Sequence, residues 1–156
     1  MTDIVDKDTR SRMMAGIRGK NTKPEMLLRR ALHARGFRYR LHVKSIIGQP
    51  DLVLPKLGAI IFVHGCFWHR HEGCRFASMP NTRPEFWAAK FAANVRRDHK
   101  VVTELSREGW RIATVWECAL RKPADVNAAV DQLELWITEG GQVIEIGKKG
   151  SGQCAV

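Results

Sequence analysis

The segment VHGCFWHRHEGC, residues 63–74, constrains this chain more than any other, because it follows the apolar run AIIFVH at once. An apolar run of that length reads as a strand covered on both faces, central in its sheet. The loop that leaves it, residues 65–83, has few apolar side chains and cannot hold itself, whereas a bound metal can hold it. Cys66, His71 and Cys74 stand at C-x4-H-x2-C spacing, close enough for one loop to wrap one ion. A tetrahedral structural site needs a fourth ligand. Cys118, in WECAL, is the candidate from a distance, and His69 competes with it. The expected set is Cys66, His71, Cys74 and Cys118 around a structural Zn²⁺, with chelation unfolding the chain. A lone buried thiol is common; three such ligands within nine residues are not. Two disulfides would also use four cysteines, but that pattern belongs to secreted chains. The opening MTDIVDKDTRSR is charged and lacks an apolar signal core, so a cytoplasmic, nucleoid-associated protein is expected.

The remaining elements follow from pattern. Residues 1–20 read as an N-terminal arm with a short amphipathic helix from Asp6 to Ile17, set against the plainer reading of a frayed basic arm. Thr22 and Glu25 in TKPE form a capping-box start, Leu27, Leu28, Ala31 and Leu32 supply an apolar stripe, and Gly36 ends the helix. FRYRLH (37–42), DLVLP (51–55) and AIIFVH (59–64) read as strands separated by turns. Pro84 begins a long helix to Glu108, with Trp87, Phe91, Val95, Val102 and Leu105 on its buried face and Lys90, Asn94, Arg96 and Arg97 on a polar one. WRIATVWE (110–117) is a fourth strand, residues 124–140 a last helix, and QVIEI (142–146) a short edge strand. The expected fold is α/β, a mixed central sheet flanked by helices. Its domain spans 21–146, and 147–156 is a disordered tail in which Cys154 is idle.

Charge narrows the partners. Lys and Arg number 26 against 16 Asp and Glu, a net +10. A basic domain of this size meets a polyanion, and nucleic acid is the commonest. No run reaches the roughly 20 apolar residues that span a bilayer, so no membrane partner is expected.

If zinc takes His71, then His64 and His69 remain. Asp51 begins the neighbouring strand after GQP. A carboxylate at a strand end beside a basic surface can hold Mg²⁺ with phosphate oxygens and water. A histidine with a pKa near neutrality suits proton transfer. Each residue also has a plainer reading: Asp51 as a turn residue, Glu25 as a capping partner, His64 as a satisfied core histidine.

GQPDLVL followed by AIIFVHG resembles the strand pair of PD-(D/E)xK nucleases, although the (D/E)-x-K slot here reads Phe62-Val63-His64. The fold implied is restriction-endonuclease-like. FVHGCFWHRHEGC, TRPEFW, NVRRD, GWRIATVWECAL and DKDTRSRMMAGIRGKNTKPE together are similar to the very-short-patch repair (Vsr) DNA mismatch endonucleases, over about residues 6–120. The resemblance implies a Mg²⁺-dependent enzyme that nicks the thymine strand at a T·G mismatch left by deamination of 5-methylcytosine. It implies Asp51 as the metal carboxylate with the Val63 carbonyl assisting, His64 and His69 as catalytic histidines, Glu25 as a supporting acid, and 5′-phosphate and 3′-hydroxyl products. It also implies the same zinc set, a monomer, and mismatch-repair proteins as partners.

Phe67 and Trp68 lie between a zinc ligand and a catalytic histidine, where aromatic wedges open base steps; the plainer reading is that they cover the zinc loop. Met14 and Ile17 would enter from the other groove, set against core packing. Lys90, Asn94 and Arg97 would position phosphates or read bases, set against a solvated helix face. Three rivals are a restriction-type or less selective nuclease, a zinc-stabilised DNA-binding module without activity, and an enzyme whose zinc is itself catalytic.

Overall fold

The computed structural model describes residues 21–147. Met14, Ile17, the helix expected over Asp6–Ile17, the tail from residue 148 and Cys154 lie outside the described residues. Helix α1 (Lys23–Ala34) begins at Thr22, whose hydroxyl accepts from the Glu25 N–H at 3.4 Å. The reciprocal half of the expected capping box is not made: Glu25 is 2% exposed and its carboxylate turns to Arg29 and His42. Strand β1 is only Arg40–Leu41, shorter than the apolar alternation suggests, and both residues are exposed. Strand β2 (Leu52–Leu54) and β3 (Ala59–His64) are joined by a tight 3-10 turn over Pro55–Leu57. A long helix α2 (Pro84–Arg107) leads to β4 (Arg111–Trp116), then α3 (Pro123–Glu139) and β5 (Val143–Ile146).

The five strands lie in sequence order. The pairs β1–β2 and β2–β3 are antiparallel, and β3–β4 and β4–β5 are parallel. A parallel pair needs a crossover connection, which α2 supplies between β3 and β4. As expected, β3 is the central strand and β5 an edge.

Period-2 alternation along β3 divides the core. Ala59 and Ile61 face α1 and α3, among Leu28, Leu32, Val130 and Leu133. Ile60 and Phe62 face α2, among Val101, Leu105 and Ile112. The buried face of α2 is therefore Phe91, Val101 and Leu105, while Trp87, Val95 and Val102 are half-buried. No helix of the described residues is long and apolar enough to cross a membrane.

Register places the chemistry. His64 of β3 pairs with Trp116 of β4, so the loops after both strands leave side by side and carry Cys66 and Cys118 toward each other. Leu52 pairs with Ile61, so Asp51, just before β2, sits beside the last residues of β3. The approach to Asp51 passes Gly48, whose φ is +81° and whose added Cβ would lie 2.5 Å from Val101 Cγ1. Gly48→Ala is expected to lower stability by about 1–3 kcal/mol, from the left-handed backbone and overpacking together, and to lower nicking through the shift of Asp51. Denaturant melts alongside initial rates check this.

Candidate active site

A cleft of about 1090 Å³ opens at the C-terminal ends of β3 and β4, the edge where ligands bind in open α/β sheets. Glu25, Asp51, Val63, His64, Phe67, Trp68, His69, Lys90, Asn94 and Arg97 all line it. Sequence positions 25 to 97 are thus brought together on one wall-and-floor surface. Arg96 is exposed and lines no part of it.

On one side, Asp51 Oδ2 accepts from the Val63 N–H at 2.7 Å. Burial pushes the Asp51 carboxyl up to about 7; the Val63 N–H opposes this, and the nearby Glu25 carboxylate adds to it. Glu25 Oε2 is held by Arg29 Nη1 at 2.7 Å and lies 3.1 Å from His42 Nε2. Oxygen and nitrogen atoms of Glu25, His42 and Asp51 fall within 4.8 Å of one another.

On the other side, the His64 and His69 rings stack at 3.8 Å and 6°. His69 Nδ1 is 2.7 Å from Asp98 Oδ2. Burial holds His64 far below its usual range, at about 3; the adjacent His69 lowers it further and Asp98 pulls the other way. His64 is therefore a neutral imidazole at neutral pH. His69, considered from spacing as a zinc ligand, joins Asp98 instead.

The Cys/His loop closes as the spacing suggests. Ligand atoms of Cys66, His71, Cys74 and Cys118 lie within 4.8 Å of one another. His71 Nδ1 is 3.7 Å from Cys66 Sγ and 3.5 Å from Cys118 Sγ, and its ring stacks on Trp116 at 4.3 Å. Cys118 first, then burial, pushes the Cys66 thiol well above its ordinary range. Three thiols and one imidazole, packed away from water, are a donor set that fits a tetrahedral cation of the zinc type. Arg70 fastens the rest of the loop: its guanidinium donates to the carbonyls of Phe67, Ala77 and Ser78 and lies 4.0 Å over the Phe91 ring.

Phe67 packs edge-on against Trp68 and Phe91 and meets Trp87 at 5.8 Å. Lys90 lies 5.5 Å above Trp68, and Asn94 donates to the Trp68 carbonyl at 3.1 Å. The two aromatics are half-buried, seated on α2 with one side toward the cleft.

Several residues escaped the sequence reading. Asp98 carried a signal in NVRRD but no reason to pair it with His69, which is 29 residues away. Trp87 lines the cleft rather than serving only as core. Glu117 accepts from the Cys66 N–H at 3.1 Å, tying the Cys/His loop to the end of β4. Only the register of β3 against β4 reveals that contact.

A carboxylate before the second strand and a buried central strand beside it, with His64 standing in the slot of the (D/E)-x-K lysine, fit a PD-(D/E)xK-like nuclease, a relative of the Mg²⁺-dependent phosphodiesterases of that class. The family model for "DNA mismatch endonuclease Vsr" matches residues 2–75. The type II nicking enzyme V.XorIIP of Xanthomonas oryzae pv. oryzae is 46% identical over 120 residues, covering 77% of this chain and 88% of that protein. The DNA mismatch endonuclease Vsr of Escherichia coli K12 is 40% identical over 152 residues, covering 96% of this chain and 97% of that protein. The catalytic domain of the homing endonuclease I-Bth0305I shares the fold, with a TM-score of 0.52 at 20% identity, over 78% of this chain and all of that one. The chain belongs to the Vsr family, alongside type II nicking enzymes.

Asp51 gives a stability prediction. The folded chain keeps the Asp51 proton up to about 7, whereas an ordinary aspartate releases it near 3.8. Stability therefore falls as pH rises through that window. Asp51→Asn removes the penalty and is expected to stabilise the Mg²⁺-free protein at pH 8 by about 1–3 kcal/mol, with no gain at pH 3.5, while abolishing nicking. Denaturant unfolding at the two pH values checks this.

Proposed function

We propose that this chain nicks the thymine strand of duplex DNA at a T·G mismatch, acting as a monomer in very-short-patch repair. The observation that carries the reading is the placement of Asp51, His64 and the His69–Asp98 pair on one cleft whose rim holds Phe67, Trp68 and Trp87. The similarity to the mismatch endonuclease along nearly the whole chain supports the substrate. A wedge of aromatics costs a few kcal/mol of unstacking per base step, and a mispair is cheaper to open than a paired step. Lys90, Asn94 and Arg97 hold phosphates and base edges beside the wedge. Met14 and Ile17, outside the described residues, approach from the opposite groove as part of an arm over 1–20, with 21–146 as the nuclease domain.

Asp51 and the Val63 carbonyl hold Mg²⁺ in this reading. The N–H and C=O of one extended residue project to the same side, so the N–H bond from Val63 to Asp51 puts its carbonyl on the Asp51 side too. Bound there, Mg²⁺ supplies neutralisation of charge on the scissile phosphate and a more acidic water. Asp98 occupies His69 Nδ1, which fixes the tautomer and leaves Nε2 to exchange a proton. Neutral His64 stacks against it, able to accept a hydrogen bond, and Glu25 supports the Asp51 carboxyl. Water adds to phosphorus and the 3′-oxygen leaves with a proton, giving 5′-phosphate and 3′-hydroxyl ends. Cys66, His71, Cys74 and Cys118 hold Zn²⁺ as a structural ion.

A second reading is a sequence-directed nicking or restriction-type endonuclease, favoured by the 46% identity to a type II nicking enzyme. End-labelled duplexes that differ only in a T·G or T·A pair separate the two. Nicking beside the mismatched T alone, lost in Asp51→Ala, is the result expected. Equal cutting of the matched duplex would establish the second reading. Asp98→Asn is expected to lower kcat by about 10²–10³-fold, as loss of a positioned proton-transfer group does, with duplex affinity retained in a gel-shift measurement.

A further inference from the structure

One side chain beside Asp51 has no part in the reading above. Pairing of Arg40 with Val53 and Leu41 with Leu52 brings the next residue, His42, across from Asp51. Its N–H donates to the Asp51 carbonyl at 3.3 Å. There the backbone enters the left-handed region, with φ 49°, a conformation uncommon for a residue with a side chain and concentrated at functional sites. The imidazole is carried inward, with 16% of its side chain exposed.

Its ring nitrogen is poorly satisfied by protein alone. His42 Nε2 lies 3.1 Å from Glu25 Oε2, yet it is buried without a hydrogen-bond partner among the described residues. The oxygen it approaches already accepts from Arg29. A buried polar nitrogen left unpaired is costly. Arg29 and the Val63 N–H each meet one carboxylate oxygen, but two carboxylates and a ring nitrogen within 4.8 Å of one another are an arrangement that a cation satisfies together. The site thus differs from an all-oxygen one. Carboxylates, carbonyls and water suit Mg²⁺ and Mn²⁺ alike, whereas imidazole suits first-row transition cations, so a mixed set favours the one of these two that is a transition ion, Mn²⁺.

We propose that His42 is a direct ligand, with Glu25 and Asp51, of the divalent cation at the end of β3, and that it gives the site a preference for Mn²⁺ over Mg²⁺. This rests on the proposed placement of the cation at Asp51. His42 acting only as a positioning residue for Glu25 is the competing role, and it predicts no nitrogen bound to the metal.

The test is Mn²⁺ titration of the full-length zinc-loaded protein, followed by pulsed electron paramagnetic resonance for ¹⁴N coupling. Wild type, His42→Gln and Asp51→Asn are compared. The expected result is a ¹⁴N signal in wild type that is absent from His42→Gln, with Mn²⁺ affinity about tenfold lower in that variant. Mg²⁺ affinity, read by competition, should fall by much less, and the ratio of Mn²⁺- to Mg²⁺-supported nicking should drop. Bound Mn²⁺ without a ¹⁴N signal in wild type, or a signal that survives in His42→Gln, overturns the ligand role and leaves the cation at Asp51. No Mn²⁺ bound at millimolar concentration also overturns it. Unchanged Mn²⁺ affinity in Asp51→Asn would instead sink the underlying placement of the cation.

Discussion

The cleft depends on the convergence of Cys66, His71, Cys74 and Cys118 between the ends of two parallel strands. Pairing of His64 with Trp116 brings the two loops together, but pairing alone does not shape residues 65–83. That loop has few apolar side chains for its length, and those it has pack onto α2 and the cluster. The donor cluster pins its first half, and Arg70 gathers the carbonyls of Phe67, Ala77 and Ser78. His69 and the two aromatics lie on this pinned segment. Their positions relative to Asp51, which is fixed by the antiparallel β2–β3 pair, are therefore set by the cluster together with α2, through Asp98, Phe91 and Asn94.

Electrostatics divides the floor of the cleft into two halves with opposite habits. Around Asp51, burial and the Glu25 carboxylate favour the protonated acid, and a cation would reverse that. Around His64, burial favours the uncharged ring, while Asp98 anchors the neighbouring His69. A low-dielectric floor that holds one carboxyl high and one imidazole low favours the uncharged form of both. Such paired displacement is a common physical mark of acid–base sites. In the proposed reaction the first half holds the metal and the second handles protons.

Much of this was legible in residue order. The strand at 59–64, the long helix from Pro84 and the edge strand at the C-terminal end of the domain are short-range patterns, and each stands as the periodicity suggests. The Cys/His set was legible because its spacing is local apart from Cys118. What escaped shares one property: it depends on which strands become neighbours. The pairing of His69 with Asp98, the seat of Glu117 against Cys66 and the approach of His42 to Glu25 all follow from register and helix phase. The Glu25 reading shows the limit well. Its spacing from Thr22 suits a capping box, yet Arg29 one turn on offers a charge-assisted partner at 2.7 Å in a buried setting, and it wins. Trp87 has the spacing of a core residue and does pack, but the wall it packs into is the cleft.

The most direct test of the dependence on the metal cluster is amide hydrogen exchange with and without zinc, read alongside nicking of a T·G duplex. Removal of zinc should abolish protection across residues 65–83 and abolish nicking, and one equivalent of zinc should restore both. Nicking that continues at its full rate in the zinc-free protein, with the loop still protected, would contradict the account.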